Sequence, residues 1–218
     1  MLFIKRILVF LFVFALLSGC LNKETKPDTT LFTRLNSGET GISFSNKLTE
    51  NDSLNYFTYA YMYMGGGVAA GDFNNDGLTD LYFTGNMLPN KLYLNKGNLK
   101  FEDITKSAGV AGTDKWYTGV TIADVNADGY LDIYCSVGGK FGPRNNELYI
   151  NNGDLTFTER AKEMGVDDIG NSVQGTFFDY DLDGDLDLYV VNYRTTTIMD
   201  QPRTTFKVAR IDDRPVVT

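Results

Sequence analysis

With 218 residues, 43% of them hydrophobic and 13% aromatic, the chain can bury one sizeable core, which excludes global disorder. Its formal net charge of −8 excludes nucleic-acid binding driven by phosphate contacts, which needs a clustered Lys/Arg surface. The sequence has no histidine, and so lacks the commonest general base, the triad imidazole and the usual zinc or iron ligand.

In chain order, Lys5 and Arg6 precede an unbroken apolar run from Ile7 to Leu17. The run is too short to span a bilayer as a mature helix and suits the core of a signal peptide. It closes on Leu17-Ser18-Gly19-Cys20, which resembles a bacterial lipobox. Residues 1–19 are therefore expected to be a lipoprotein signal peptide, and Cys20 the diacylated new N-terminus, since two acyl chains hold a protein stably where one does not. Residues 20–30 are polar and lack aromatics, as a tether would. This places the chain in the bacterial cell envelope, lipid-anchored in the outer membrane on either its periplasmic or its surface face.

From residue 31 onward the pattern turns to short β-strands. The run Tyr56-Phe57-Thr58-Tyr59-Ala60-Tyr61-Met62-Tyr63 alternates with period two. That predicts a strand with Phe57, Tyr59, Tyr61 and Tyr63 on one face, packed between sheets rather than stacked on sugars. Asn90 to Val110 aligns without a gap on Asn146 to Val166, with ten identities in 21 positions. The shared residues include Leu92-Tyr93 with Leu148-Tyr149, Asn95 and Gly97 with Asn151 and Gly153, and Gly109-Val110 with Gly165-Val166. Apolar pairs flanking Asn-x-Gly predict a β-hairpin in which Asn and Gly take the positive φ of a tight turn. A weaker copy of the end of this unit runs from Phe32 to Gly41-Ile42.

The negative charge is concentrated in three places. Residues 72–80, 124–132 and 179–187 hold 11 of the 28 acidic residues, at intervals of 52 and 55. Strand-like triplets follow each stretch: Leu81-Tyr82-Phe83, Ile133-Tyr134-Cys135 and Leu188-Tyr189-Val190. Cys135 reads as a small apolar strand residue, and with Cys20 lipidated it has no disulfide partner. About four short strands per repeat of roughly 50 residues predicts an all-β chain with the blades of a β-propeller, a solenoid or sandwich being the alternative arrangement.

Aligned on their first Asp, the three stretches read D-x-[DN]-x-[DN]-G-x-x-D. Side-chain oxygens at positions 1, 3, 5 and 9 come from Asp72, Asn74, Asp76 and Asp80, from Asp124, Asn126, Asp128 and Asp132, and from Asp179, Asp181, Asp183 and Asp187. Position 7 supplies a backbone carbonyl from Leu78, Tyr130 or Asp185, the last also adding a negative charge. All-oxygen, irregular coordination suits Ca²⁺ and not Mg²⁺, which prefers a tight octahedron and its own waters. Glycine at position 6 permits the sharp turn. An EF-hand is excluded because its bidentate Glu at position 12 is replaced by Phe83, Cys135 and Val190, and because strands flank the loops.

The runs from Gly66 to Gly77 and from Gly119 to Asn126 resemble FG-GAP/VCBS-type repeats of integrin α-chain propellers. The segment NKLYLNKGNLKFEDITKSAGV is similar to the bacterial ASPIC/UnbV-associated, cartilage-acidic-protein-like branch. The resemblance covers residues 31–194 and implies a propeller, commonly of seven blades, with calcium between the first two strands of each blade; it implies no reaction. Residues 31–218 are thus expected to be propeller blades, and seven at this repeat length would need about 380 residues, so the expectation is a partial propeller. The third repeat departs by having Gln174-Gly175 where the others have Gly-Val.

The function expected is a non-catalytic, calcium-binding scaffold for a protein or glycan partner. The rival is a propeller enzyme acting on polysaccharide, whose active site would lie beyond these residues. Gly65-Gly66-Gly67-Val68-Ala69-Ala70 matches a loose dinucleotide pattern, yet an acidic loop follows it where a helix would be needed, so no nucleotide is expected. No G-x-S-x-G elbow or Walker loop occurs.

Overall fold

A computed structural model describes residues 31–193 and the strand segments 208–211 and 214–217. The expected signal peptide, Cys20 and the tether lie outside the described residues. The β-structure belongs to the compact unit that begins at Asn36.

Two four-stranded antiparallel meanders make up most of this unit. The first is β1 (Val68–Gly71), β2 (Asp80–Phe83), β3 (Lys91–Asn95) and β4 (Phe101–Asp103). The second is β5 (Trp116–Ala123), β6 (Asp132–Gly138), β7 (Glu147–Asn151) and β8 (Phe157–Glu159). A third sheet pairs β9 (Ser172–Phe178) with β10 (Asp187–Asn192), and β11 (Val208–Ile211) pairs with β12 (Arg214–Val217). This is the expected all-β architecture of repeated blade-like sheets, in an open arrangement.

The repeat is exact in register. In the three sheets the residue before the acidic stretch pairs with its ninth position: Gly71 with Asp80, Ala123 with Asp132, and Phe178 with Asp187. Each acidic stretch is therefore the connection between the first two strands of a sheet.

Period-two alternation decides which sheet a side chain meets. On β6, Ile133, Cys135 and Val137 join the core shared with Tyr82 and Leu92 of the first sheet and Val110 of the connection that follows it. Tyr134 points the other way, into a core with Phe177, Leu188 and Val190 of the third. The cores thus lie between sheets, and each fully buried large side chain contributes about 1.5–3 kcal/mol. Tyr82 and Tyr134 also satisfy their hydroxyls, donating to the carbonyls of Val110 at 2.7 Å and Val166 at 3.0 Å. Burial pushes the Tyr134 phenol up to about 12 and raises the Cys135 thiol, so Cys135 is the inert strand residue expected of it.

The inner strands approach closely, and this explains the Gly-Val pair. A Cβ on Gly67 would lie 2.8 Å from the Val120 nitrogen, and one on Gly119 2.3 Å from the Val173 carbonyl oxygen. In the third sheet the exchange to Gln174-Gly175 has its own logic: Gln174 donates to Val120 O at 2.9 Å, and Gly175 leaves room for the Tyr134 ring.

Two expectations need correction. The aromatic run 56–63 forms turns, not a strand. The Asn51 side chain holds the N–H groups of Ser53 and Leu54 just before the run, and Asn55 those of Phe57 and Thr58 within it, which favours turns over a ladder. Only Tyr59 and Met62 of that run are buried, against Trp116, while Tyr56, Phe57 and Tyr63 are exposed. In the β3–β4 and β7–β8 hairpins, Gly97 and Gly153 take positive φ as expected, but Asn95 and Asn151 do not. Those asparagines instead accept the N–H of Gly97 and Gly153 at 2.9 and 3.0 Å, while Asn98, Leu99 and Leu155 turn left-handed.

The weak N-terminal copy of the repeat is visible in α1 (Ser37–Thr40), closed by left-handed Gly41 as α2 (Thr105–Ala108) is by Gly109. Among the described residues no helix is long and apolar enough to cross a membrane.

Candidate metal centre

The three acidic loops adopt one conformation. Position 4 (Asn75, Ala127, Leu182) and position 6 (Gly77, Gly129, Gly184) all take positive φ. Only the glycine is free of cost there; an Ala or Leu held left-handed is disfavoured by about 1 kcal/mol. The double reversal folds the backbone N–H groups of positions 5 and 6 towards the carboxylate of position 1.

In loop 1 (residues 72–80), Asp72 accepts from the N–H of Asp76 at 3.1 Å and of Gly77 at 2.7 Å. Asp76 in turn accepts from Leu78 N at 2.8 Å, and Asn74 Nδ2 donates to Asp76 Oδ2 at 3.1 Å. Loop 2 (124–132) repeats this: Asp124 accepts from Asp128 N and Gly129 N at 3.0 and 2.8 Å, and Asp128 from Tyr130 N at 2.9 Å. Asn126 Nδ2 donates to Asp128 Oδ2 at 2.9 Å. Loop 3 (179–187) keeps the same bonds from Asp183 N and Gly184 N to Asp179, both at 3.2 Å, and from Asp185 N to Asp183 at 3.1 Å.

Position 9 has a second role that sequence reasoning did not assign. Asp80 accepts Phe73 N at 3.0 Å on one oxygen and Asn95 N at 2.7 Å on the other. Asp132 accepts Val125 N at 2.9 Å and Asn151 N at 2.8 Å in the same way. These two carboxylates are almost fully buried, and burial raises their pKa against the lowering effect of the N–H donors. Position 9 therefore pins the loop to the end of the third strand. A carboxylate has about four acceptor sites, so lone pairs remain for a cation. Asp187 holds Tyr180 N at 2.8 Å and stays partly accessible.

The donor set is all oxygen, which fits Ca²⁺ and suits neither zinc nor a soft metal. In loop 3 the carboxylates of Asp179, Asp181 and Asp187 bring oxygens within 4.8 Å of one another, a spacing a single cation can bridge. Asp185 does not join that group. Its carboxyl is held against Asp183, and this hydrogen bond and like charge raise its pKa. Loops 1 and 2 carry Asn74 and Asn126 at position 3, where Asp181 gives loop 3 a fourth ligand carboxylate.

The residues missed were Phe73, Asn95 and Asn151. The recurrence of Asn95 and Asn151 in the aligned repeat was the available signal; its meaning depends on strand register.

Among the described residues outside the loops, Glu147 is the most enclosed carboxylate. It accepts Thr113 Oγ1 at 3.0 Å and Lys115 Nζ at 2.8 Å on one oxygen, and the Tyr117 and Tyr149 hydroxyls at 2.6 and 2.7 Å on the other. Burial and the Glu147 charge raise both phenols. A carboxylate held by four donors ties the connection between the sheets and is poorly placed to accept a substrate proton.

Successive four-stranded meanders carrying an acidic loop between their first two strands define a class of propeller-type repeat proteins. The chain belongs to the FG-GAP-like repeat family, which matches residues 72–135 and 137–190, more than half of its length. It is 37% identical over 103 residues to cartilage acidic protein 1 of Xenopus tropicalis, covering 46% of this chain and 16% of that protein. It is 30% identical over 150 residues to cartilage acidic protein 1 of Homo sapiens, covering 62% of this chain and 22% of that protein. The chain thus spans about a fifth or less of the length of these curated relatives.

Proposed function

We propose that the chain is a calcium-stabilised scaffold of the bacterial cell envelope, carried on a lipid at Cys20 in the outer membrane, that binds a protein or glycan partner and performs no catalysis. The observation that carries the reading is the identical conformation of three acidic loops at the same place in three successive sheets. Residues 72–80, 124–132 and 179–187 crowd like charges that an oxygen-seeking divalent cation relieves. Family membership supports a propeller scaffold for protein binding. The four-donor satisfaction of Glu147 supports a structural rather than catalytic use of the enclosed carboxylate. Exposed Tyr56, Phe57 and Tyr63 offer aromatic surface of the kind that partners bury. The VCBS-type, ASPIC/UnbV-associated affinity belongs to the same proposal.

Binding to the folded state alone stabilises by about 2.7 kcal/mol per site at a hundredfold excess over Kd. The test is thermal unfolding with chelator and across a calcium titration, for the native sequence and for Asp128→Ala and Asp183→Ala. The expected result is a Tm that rises at millimolar calcium, less so in each variant, and responds poorly to magnesium. An unchanged Tm together with no bound metal would refute the calcium reading. For the anchor, Cys20→Ala is expected to abolish fatty-acid labelling and membrane partitioning in a Gram-negative host; a soluble, unacylated native chain would refute it.

A further inference from the structure

Loops 1 and 2 are joined by a bond that has no counterpart between loops 2 and 3. Asn75, at position 4 of loop 1, donates its side-chain Nδ2 to the carbonyl oxygen of Gly129, at position 6 of loop 2, at 3.0 Å. The peptide unit that contains this carbonyl also contains the Tyr130 N–H, which donates to Asp128 at 2.9 Å. The Gly129 N–H donates to Asp124 at 2.8 Å. A loop 1 side chain therefore fixes the Gly129–Tyr130 peptide plane, whose N–H orients the carboxylate at position 5 of loop 2, next to the peptide unit whose N–H holds position 1.

A second, buried link runs beside it. Asn151 Nδ2 donates to Phe73 O at 2.8 Å, and the Asn151 N–H donates to Asp132 Oδ1 at 2.8 Å. Phe73 N–H donates to Asp80 Oδ2 at 3.0 Å, so Asn151 and Phe73 connect the ninth positions of the two loops. The Phe73 ring packs edge-on against Phe157 of the second sheet, with centroids 6.0 Å apart.

Position 4 is Ala127 in loop 2 and Leu182 in loop 3, with φ of 57° and 64° against 57° at Asn75. The backbone shape is the same, but neither side chain can donate. Among the described residues, no hydrogen bond joins loop 2 to loop 3.

We propose that Asn75 is a positioning residue that couples cation binding in loops 1 and 2, so that these two fill with positive cooperativity while loop 3 fills independently. The inference rests on the calcium reading above. A cation drawing in Asp72, Asn74 and Asp76 immobilises the intervening Asn75, and the Asn75 amide then holds the Gly129–Tyr130 peptide in the orientation loop 2 needs. The ordering done by the first ion is not repeated for the second, and by linkage the effect is the same in either direction.

The test is a calcium titration of the full chain by calorimetry, in an Asp183→Ala background that silences loop 3. Terbium luminescence excited through tyrosine reports loop 2 specifically, because Tyr130 occupies its position 7. Asn75→Ala is the central variant, and Ala127 shows that this conformation accepts alanine. Unchanged circular dichroism confirms that it folds. The expected result is a Hill coefficient above one for loops 1 and 2, reduced to one by Asn75→Ala. Loop 2 affinity should fall about two- to tenfold, the range for one hydrogen bond. Asp76→Ala, which disables loop 1, should weaken loop 2 equally, and with Asp183 restored it should leave loop 3 binding unchanged. Calcium binding with a Hill coefficient of one, insensitive to Asn75→Ala, would overturn the coupling and leave the calcium reading standing. Absence of any calcium binding would overturn both.

Discussion

Asn151, at the end of β7, donates its side-chain amide to the carbonyl oxygens of Phe73 at 2.8 Å and Leu131 at 3.2 Å, bridging an acidic loop of one sheet to that of the next. Its counterpart Asn95 reaches only Thr79, within its own sheet, at 2.8 Å.

Asn151→Ala is therefore expected to destabilise more than Asn95→Ala. A buried and a part-buried carbonyl lose their donor in the first case, at a cost of about 1–3 kcal/mol, and one exposed carbonyl turns to water in the second. Denaturant unfolding of both variants measures the difference, and equal midpoints would mean that the bridge contributes nothing between sheets.

Lys115 and Glu147 form a buried pair, with side chains 11% and 4% exposed. Lys115→Met leaves the carboxylate with hydroxyl donors alone and is expected to cost about 3–5 kcal/mol, the range for breaking a buried pair. Glu147→Gln should be similarly harmful, and the double variant clearly less so than the sum, because neither charge is then left unpaired. Additive losses in urea unfolding would show that the two groups act separately.

Asp103 provides a pH test away from the loops. Partial burial alone would raise its pKa, yet hydrogen bonds from Lys91 and Thr105 hold it below the usual value. A depressed native pKa means stability that is present above the unfolded value near 4 and lost as pH falls through the native one. The pair is about a third exposed, so its worth is within about 1 kcal/mol. Asp103→Asn should lie below the native sequence at pH 7 and converge with it in acid; a gap that persists at low pH would count against the ion pair.

Tyr189 is 60% exposed, whereas its equivalents Tyr82 and Tyr134 are fully buried. Its strand β10 pairs only with β9 among the described residues, while β2 and β6 are flanked on both sides. Amides of residues 187–192 are expected to exchange with solvent well before those of 132–138, because opening there breaks fewer ladder bonds. Equal protection by native-state exchange and mass spectrometry would contradict the edge position of β10.

Much of this protein was legible in the sequence because it depends on local, repeated chemistry. The D-x-[DN]-x-[DN]-G-x-x-D spacing placed three turns. The apolar triplets after them placed β2, β6 and β10, and the aligned hairpin placed β3, β4, β7 and β8. Each of these follows from a few residues and their neighbours along the chain. The aromatic run 56–63 misled because alternation was read without the Asn55 side chain, which accepts the N–H groups of Phe57 and Thr58 and holds the start of the run in a turn. Only tertiary structure could show that Asp80 and Asp132 clamp the third strand, that Gly67 and Gly119 admit a neighbouring backbone, and that Asn75 reaches Gly129 while Ala127 reaches nothing. The clamp joins residues 15 and 19 positions apart within one sheet, and the other two relations join residues some fifty positions apart in adjacent sheets. The physical reason is that sequence periodicity fixes which face a side chain takes, whereas register and packing between sheets decide what stands opposite it.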